Sequence, residues 1–221
     1  MKRLLPVLLF CAFVGVSCAP PPPSAGPEPQ RSDAPRSPAA GSFDYYLLNL
    51  SWAPEFCYSR PDNAECGGHF GFIVHGLWPQ YSRGGYPENC TQQPGPSDPS
   101  SMLEMMPDPH LIQHEWTTHG TCTGLAAVDY FALIRRLFHS LKIPPDFVAP
   151  ARQFSLSPQA LKRDFERSNP GLTDTDIAIS CGRGPYLVGV EICYTKDGRP
   201  TQCGSDIRDC NRPAIRVPKV R

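Results

Sequence analysis

The chain has no excess charge of either sign: 21 Lys and Arg stand against 21 Asp and Glu in 221 residues. A protein that holds long nucleic acid on a broad basic face needs an imbalance that is missing here. A balanced chain can still grip a single phosphate with a few groups. Also missing is an apolar run that spans a bilayer. The stretch from Leu4 to Ser17 is short of the roughly 20 residues a spanning helix needs. Beyond residue 41 no Cys-x-x-Cys occurs, which argues against a zinc cluster. The metallopeptidase pattern His-Glu-x-x-His is absent as well, and no segment repeats, so the chain is not a repeat array.

What is present begins with an address. Met1-Lys2-Arg3 precedes "LLPVLLFCAFVGVS", a short basic start and an apolar core that read as an export signal over 1–18. Residues 19–41 carry eight prolines, at 20, 21, 22, 23, 27, 29, 35 and 38. Such a segment cannot bury a core and is expected as an extended linker. Cys18 lies at the junction, where bacterial lipoproteins carry their lipidated residue. A lipid anchor at Cys18 and ordinary cleavage with release both stay open. Residues 42–221 then form one domain of 180 of the 221 residues, with 17 of the 21 bases and 19 of the 21 acids. That length supports a real core. Nothing in it calls for an oligomer, and a monomer is expected.

Eight cysteines remain in the domain: 57, 66, 90, 122, 181, 193, 203 and 210. An even number behind an export signal implies four disulfides formed in an oxidising compartment, secreted or periplasmic. The count alone allows 105 pairings.

"FDYYLLNLSW" (43–52) and "HFGFIVHGLW" (69–78) read as buried strands, the second ended by Pro79. "DPHLIQHEWTTHG" has Asp108 as helix cap, Pro109 in the first turn and Gly120 as stop. In 126–142, Tyr130, Leu133, Ile134, Leu137 and Leu141 recur at helical spacing. Ser157-Pro158 opens another helix. "DIAISC", "PYLVGVEICYT" and "RPTQC" read as strands, with Asp197-Gly198 as a hairpin turn. Strands, then helices, then strands give an α+β domain.

"HEWTTHGTC" (114–122) concentrates the chemistry. His114 and His119 are five residues apart, a rotation of roughly 140° on a helix, so one metal cannot easily take both. No metal and no cofactor are expected. Glu115 and His119 are one turn apart, where a carboxylate orients an imidazole and raises its pKa. An exposed helical ion pair is the plainer alternative. In "FIVHGLWPQ", His75 sits before Gly76 at a strand end and Trp78 offers a flat surface for a base. A core histidine and a core aromatic are the plainer readings of each. Together, two histidines as general base and general acid suit in-line transfer at phosphorus. In RNA the neighbouring 2′-OH can attack, leaving a 2′,3′-cyclic phosphate. DNA lacks that hydroxyl and should resist.

At these residues the chain resembles the ribonuclease T2 family. "FIVHGLWP" and "HEWTTHGTC" are similar to its two active-site segments, and "YYLLNLSWAPEFC" resembles the first strand of bacterial members. The resemblance implies an antiparallel sheet flanked by helices and a metal-independent endoribonuclease of low base specificity acting on single-stranded RNA. It implies His75 as general acid and His119 as general base, with His114 holding the phosphate. Glu115 would support the charge at phosphorus or His119 itself, and Trp78 and Tyr86 would line a base pocket. It pairs Cys57–Cys66, Cys90–Cys122, Cys181–Cys210 and Cys193–Cys203. Two positions depart from the pattern. Thr118 stands where many members carry a lysine next to the second histidine, and Gln80 stands where an acidic residue is common. A missing charge at 118 predicts that Thr118→Lys raises turnover; Arg83 is the candidate substitute. Two rival readings are an inactive exported RNA-binding module of the same fold and a zinc hydrolase. Loss of the site's activity would mark the first, and inhibition by chelator the second. The acceptor sequons at Asn49 and Asn89 are expected to stay unmodified.

Overall fold

The computed structural model describes residues 39–221. The expected export signal, Cys18 and most of the expected linker lie outside the described residues. Residue 41 is tied to the domain: Gly41 N–H donates to the Cys122 carbonyl at 2.7 Å, and Lys196 Nζ donates to the Gly41 carbonyl at 3.1 Å.

The strands are β1 (Tyr45–Trp52), β2 (Phe72–Gln80), β3 (Phe154–Leu156), β4 (Ile177–Cys181), β5 (Leu187–Tyr194) and β6 (Ile215–Val217). Four of them make one antiparallel sheet in the order β2-β1-β5-β4, and β3 pairs with β6 apart from it. The helices are α1 (Ala53–Ser59), α2 (Pro109–Thr118), α3 (Ala127–Ser140) and α4 (Pro158–Ser168). The fold is therefore α+β, as the order of elements predicts.

β1 is apolar at nearly every position because it is central and covered on both faces. Tyr46, Leu48, Leu50 and Trp52 enter the main core, while Tyr45 and Leu47 meet Cys193 and the half-buried Trp78 on the other face. Each fully buried leucine contributes about 1.5–3 kcal/mol. α3 lays Tyr130, Leu133, Ile134 and Leu137 into the main core, and α4 adds Leu161 and Phe165. The Tyr130 hydroxyl donates to the Leu77 carbonyl at 3.0 Å, so the buried phenol is satisfied.

Capping explains the helix starts. Asp108 Oδ1 accepts from His110 N–H at 2.8 Å, and Ser157 Oγ accepts from Ala160 N–H at 3.1 Å. β2 does not stop at Pro79 as its sequence predicts: Pro79 pairs with Tyr46 and the strand runs to Gln80. β2 is an edge strand, where a residue without an N–H costs no ladder bond. "RPTQC" is no strand. It touches β5 through an isolated Tyr194–Pro200 bridge, the Thr201 N–H donated to the Cys193 carbonyl at 3.0 Å and the Cys193–Cys203 disulfide, without forming a ladder. The turn before it is as expected, with Gly198 at φ 86°.

All eight domain cysteines pair, as 57–66, 90–122, 181–210 and 193–203, the pairing that the resemblance implies. Cys90–Cys122 spans 32 residues, a loop whose closure contributes about 3–4 kcal/mol by chain entropy. Beside it, Asn89 adopts φ 53° and its N–H donates to the Thr118 carbonyl at 2.8 Å. The long Gly- and Pro-rich loop is thus fixed to the C-terminal end of α2.

Candidate active site

Two elements meet at the edge of the sheet. β2 supplies His75, Gly76 and Trp78; α2 and the turn after it supply His114, Glu115 and His119. The free edge of β2 is covered from this side, with Val74 N–H donating to the Met105 carbonyl at 2.8 Å.

A β-bulge aims His75. Asn49 of β1 pairs with Gly76, and the next residue, Leu50, pairs with Val74. His75 is the extra residue. In a regular strand, residues three apart point to opposite faces. The bulge moves His75 onto the face of Trp78, and their rings meet edge to face with centroids 5.6 Å apart. The Trp78 ring also stacks on His119 at 5.1 Å and 30°. Tyr86, which is 51% exposed, lies 5.7 Å from the His119 ring. The indole of Trp78 therefore touches both imidazoles.

Glu115 is fully buried and faces this group. Its Oε2 accepts from Trp78 Nε1 at 2.7 Å, and its Oε1 lies 3.5 Å from His75 Nε2. That second distance is an ion-pair contact rather than a hydrogen bond, and Oε1 has no hydrogen-bond partner in the protein. Helical spacing predicts that Glu115 orients His119; the carboxyl instead meets Trp78 and His75. His119 is the C-cap of α2, at φ −114°, so its side chain leaves the helical path and the carboxyl turns to His75 and Trp78 instead. His119 Nδ1 is likewise buried without a partner.

Electrostatics follow from burial. Glu115 is pushed up to about 8 by burial, partly offset by the Trp78 N–H. His119 falls to about 4 through burial, then through the nearby His114 and His75. The expected rise from a paired carboxylate is thus reversed. His75 is lowered by burial and by His114, but its side chain is 39% exposed, so solvent screens that push. His114 is exposed and within electrostatic reach of both rings.

Two contributors escape the sequence. Ser51 Oγ is 3.1 Å from His75 Nδ1, which leaves Nε2 toward Glu115 and the open side. Gly76 leaves room for the carboxyl: a Cβ there would lie 1.9 Å from Glu115 Oε2 and 2.6 Å from Trp78 Nε1. Asp44 is lowered chiefly by the Ser82 N–H it accepts at 2.7 Å, and Arg83 adds a smaller electrostatic push there. Thr118 is half-buried, and Gln80 ends β2 with its side chain buried. Among the described residues, no three His, Cys, Asp or Glu side chains converge as metal ligands would.

Comparison with known proteins agrees with this picture. The model of the ribonuclease T2 family matches residues 43–203. A ribonuclease of Aeromonas hydrophila is 34% identical over 194 residues, covering 82% of this chain and 88% of that protein. A probable ribonuclease of Haemophilus influenzae is 30% identical over 187 residues, covering 76% of this chain and 63% of its own length. Among solved structures, ribonuclease MC1 from bitter gourd seeds superposes with a TM-score of 0.63 at 26% identity, covering 78% of this chain and 99% of that one.

Proposed function

Because the chain belongs to the ribonuclease T2 family, we propose that it is an exported endoribonuclease that cleaves single-stranded RNA by internal transfer, with low base specificity. The bacterial relatives are named as ribonucleases, and a mutant of RNase MC1 has been crystallised with 5′-UMP. The observation that carries the reading is the pair of imidazoles, His75 and His119, both in contact with Trp78 and backed by the buried Glu115.

His119, neutral above about pH 4, takes the proton of the 2′-OH. The 2′-oxygen attacks phosphorus in line. His75, protonated, gives its proton to the leaving 5′-oxygen, and a 2′,3′-cyclic phosphate remains. Glu115, which burial pushes up, lies 3.5 Å from His75 Nε2 and accepts from Trp78 Nε1, so it holds both the acid and the indole in place. His114 stands exposed beside the two rings, placed to meet the phosphate, and Trp78 and Tyr86 offer faces on which a base stacks. The chemistry assigns no step to a metal or cofactor. Single strands are preferred because a duplex holds the 2′-OH away from the in-line position. Four disulfides fit secretion or the periplasm, with residues 1–18 as the export signal, 19–41 as linker, and Cys18 as lipid anchor or cleavage point.

The direct test replaces a single ribonucleotide of a substrate by its 2′-deoxy analogue. Cleavage 3′ to that position should stop while neighbouring positions are still cut. Continued cleavage there would mean that water, not the 2′-OH, attacks.

The acid–base assignment also fixes a pH profile. The base works above the lowered pKa of His119, about 4; the acid works below that of His75, itself lowered from 6.5. The profile of kcat/KM should be bell-shaped with its maximum on the acid side of neutral. An optimum above pH 8 would contradict the assignment.

A further inference from the structure

A groove of about 470 Å³ lies away from the histidines, between α1, the residues just before β5, and the C-terminal segment. Its walls carry two aromatic rings, Tyr58 and Tyr186, and two cations, Lys219 and Arg221. Tyr58 is 79% exposed, a large ring left open to solvent. The guanidinium of Arg221 sits 5.9 Å over the Tyr58 ring, and that of Arg216 sits 5.8 Å over Tyr186. Each tyrosine thus carries one guanidinium, and Lys219 adds a further cation to the wall, opposed by the carboxylate of Glu55. In a chain with no net charge, this local excess stands out.

The groove abuts the face of the sheet that carries the active site. β5 has its own bulge: Ser180 pairs with Gly189 but Cys181 pairs with Leu187, so Val188 is the extra residue. Leu187 and Val190 are in the main core, which puts Val188 and Gly189 together on the opposite face. Gly189 is paired with Ser51, the hydrogen-bond partner of His75. A Cβ on Gly182 would meet Val188 Cγ2 at 3.5 Å and Glu55 Oε1 at 3.8 Å, so the same face continues to the groove wall. Along the chain, Ser51 is three residues from Pro54, which lines the groove, a span of at most about 11 Å.

We propose that this groove is a second binding site for single-stranded RNA, holding nucleotides of the substrate that flank the cleaved bond. The proposal rests on the ribonuclease reading of the histidine site. An exposed Tyr58 and a half-buried Tyr186, each with a cation beside its ring, offer what unpaired bases and their phosphates recognise, independently of sequence. Such a site lowers KM for long substrates and leaves the chemical step alone.

The test compares the parent with Tyr58→Ala/Lys219→Ala and with Tyr186→Ala, on a dinucleoside monophosphate and on a long unstructured oligoribonucleotide. Tyr58 and Lys219 are exposed, so the fold should survive. KM for the long substrate should rise about tenfold, the loss expected from one stacked base and one phosphate contact, with kcat and the short substrate unaffected. An unchanged KM for the long substrate overturns the proposal, as does an equal loss on both substrates. Fluorescence anisotropy with an uncleavable 2′-deoxy oligonucleotide separates the two readings. A parent that binds it, more weakly in salt and about tenfold more weakly in the variants, keeps the groove even if no RNA is cut. Absence of binding removes the groove and leaves the ribonuclease reading standing. Equal binding of a polyglutamate peptide would assign the groove to an acidic protein and overturn the RNA proposal.

Discussion

His119→Ala should lower kcat on single-stranded RNA by about 10²- to 10⁴-fold, the range in which a positioned general base contributes. The ring is 7% exposed, packs between Trp78 and Tyr86, and has a buried Nδ1 with no protein partner. His75→Ala should cause a loss of similar size by removing the proton for the leaving oxygen. In the proposed mechanism the two act in one step, so the double variant should fall little below the worse single one. Circular dichroism and initial rates on the three purified proteins check this. A His119→Ala protein within tenfold of the parent would mean that another group is the base. Losses that multiply in the double variant would mean that the two histidines act in separate steps.

Gly76→Ala should do nearly as much harm with one methyl group. The added Cβ would sit 1.9 Å from Glu115 Oε2 and 2.6 Å from Trp78 Nε1, well inside contact. Neither neighbour has room to retreat: Glu115 is buried, and Trp78 is held between two imidazoles. Overpacking costs about 1–3 kcal/mol, and breaking the Trp78–Glu115 hydrogen bond in a buried place adds about 1–3 kcal/mol. For a domain of this size the melting temperature should drop by roughly 5–15 °C. Activity should fall at least about a hundredfold at temperatures where the variant is still folded, because Glu115 and Trp78 no longer hold their places. Thermal melts with rates on the same preparation decide it. A variant that melts and cleaves like the parent would show that Glu115 does not depend on this clearance.

How much of this was legible in the sequence depended on the range of the interaction. α2 and α4 could be read because their starts are chemical and local: Asp108 and Ser157 cap them, and a proline follows each. β1 could be read because a central strand must be apolar on both faces. The pairs β3 and β6 could not, since three-residue strands carry too few positions to show an alternation. The two motifs pointed to His75, Trp78, Glu115 and His119, and the structure gathers them with Tyr86. Their mutual geometry was hidden. On a strand of regular period, His75 and Trp78 belong to opposite faces; only the pairing of β1 against β2 reveals the bulge that joins them. The same gap concealed Ser51, which reaches His75 from a strand whose register no local pattern reports. Helical spacing makes Glu115 the partner of His119, but that spacing ends at the C-cap, which is His119 itself.

The central claim is that two histidines transfer phosphorus from the 5′-oxygen to the 2′-oxygen. Its most direct test is digestion of single-stranded RNA by the disulfide-bonded protein in excess chelator, beside His119→Ala, with the ends of the products identified. The account predicts 2′,3′-cyclic phosphate ends from the parent and almost none from the variant. Cleavage that stops with chelator, or that yields 5′-phosphate ends, would contradict it.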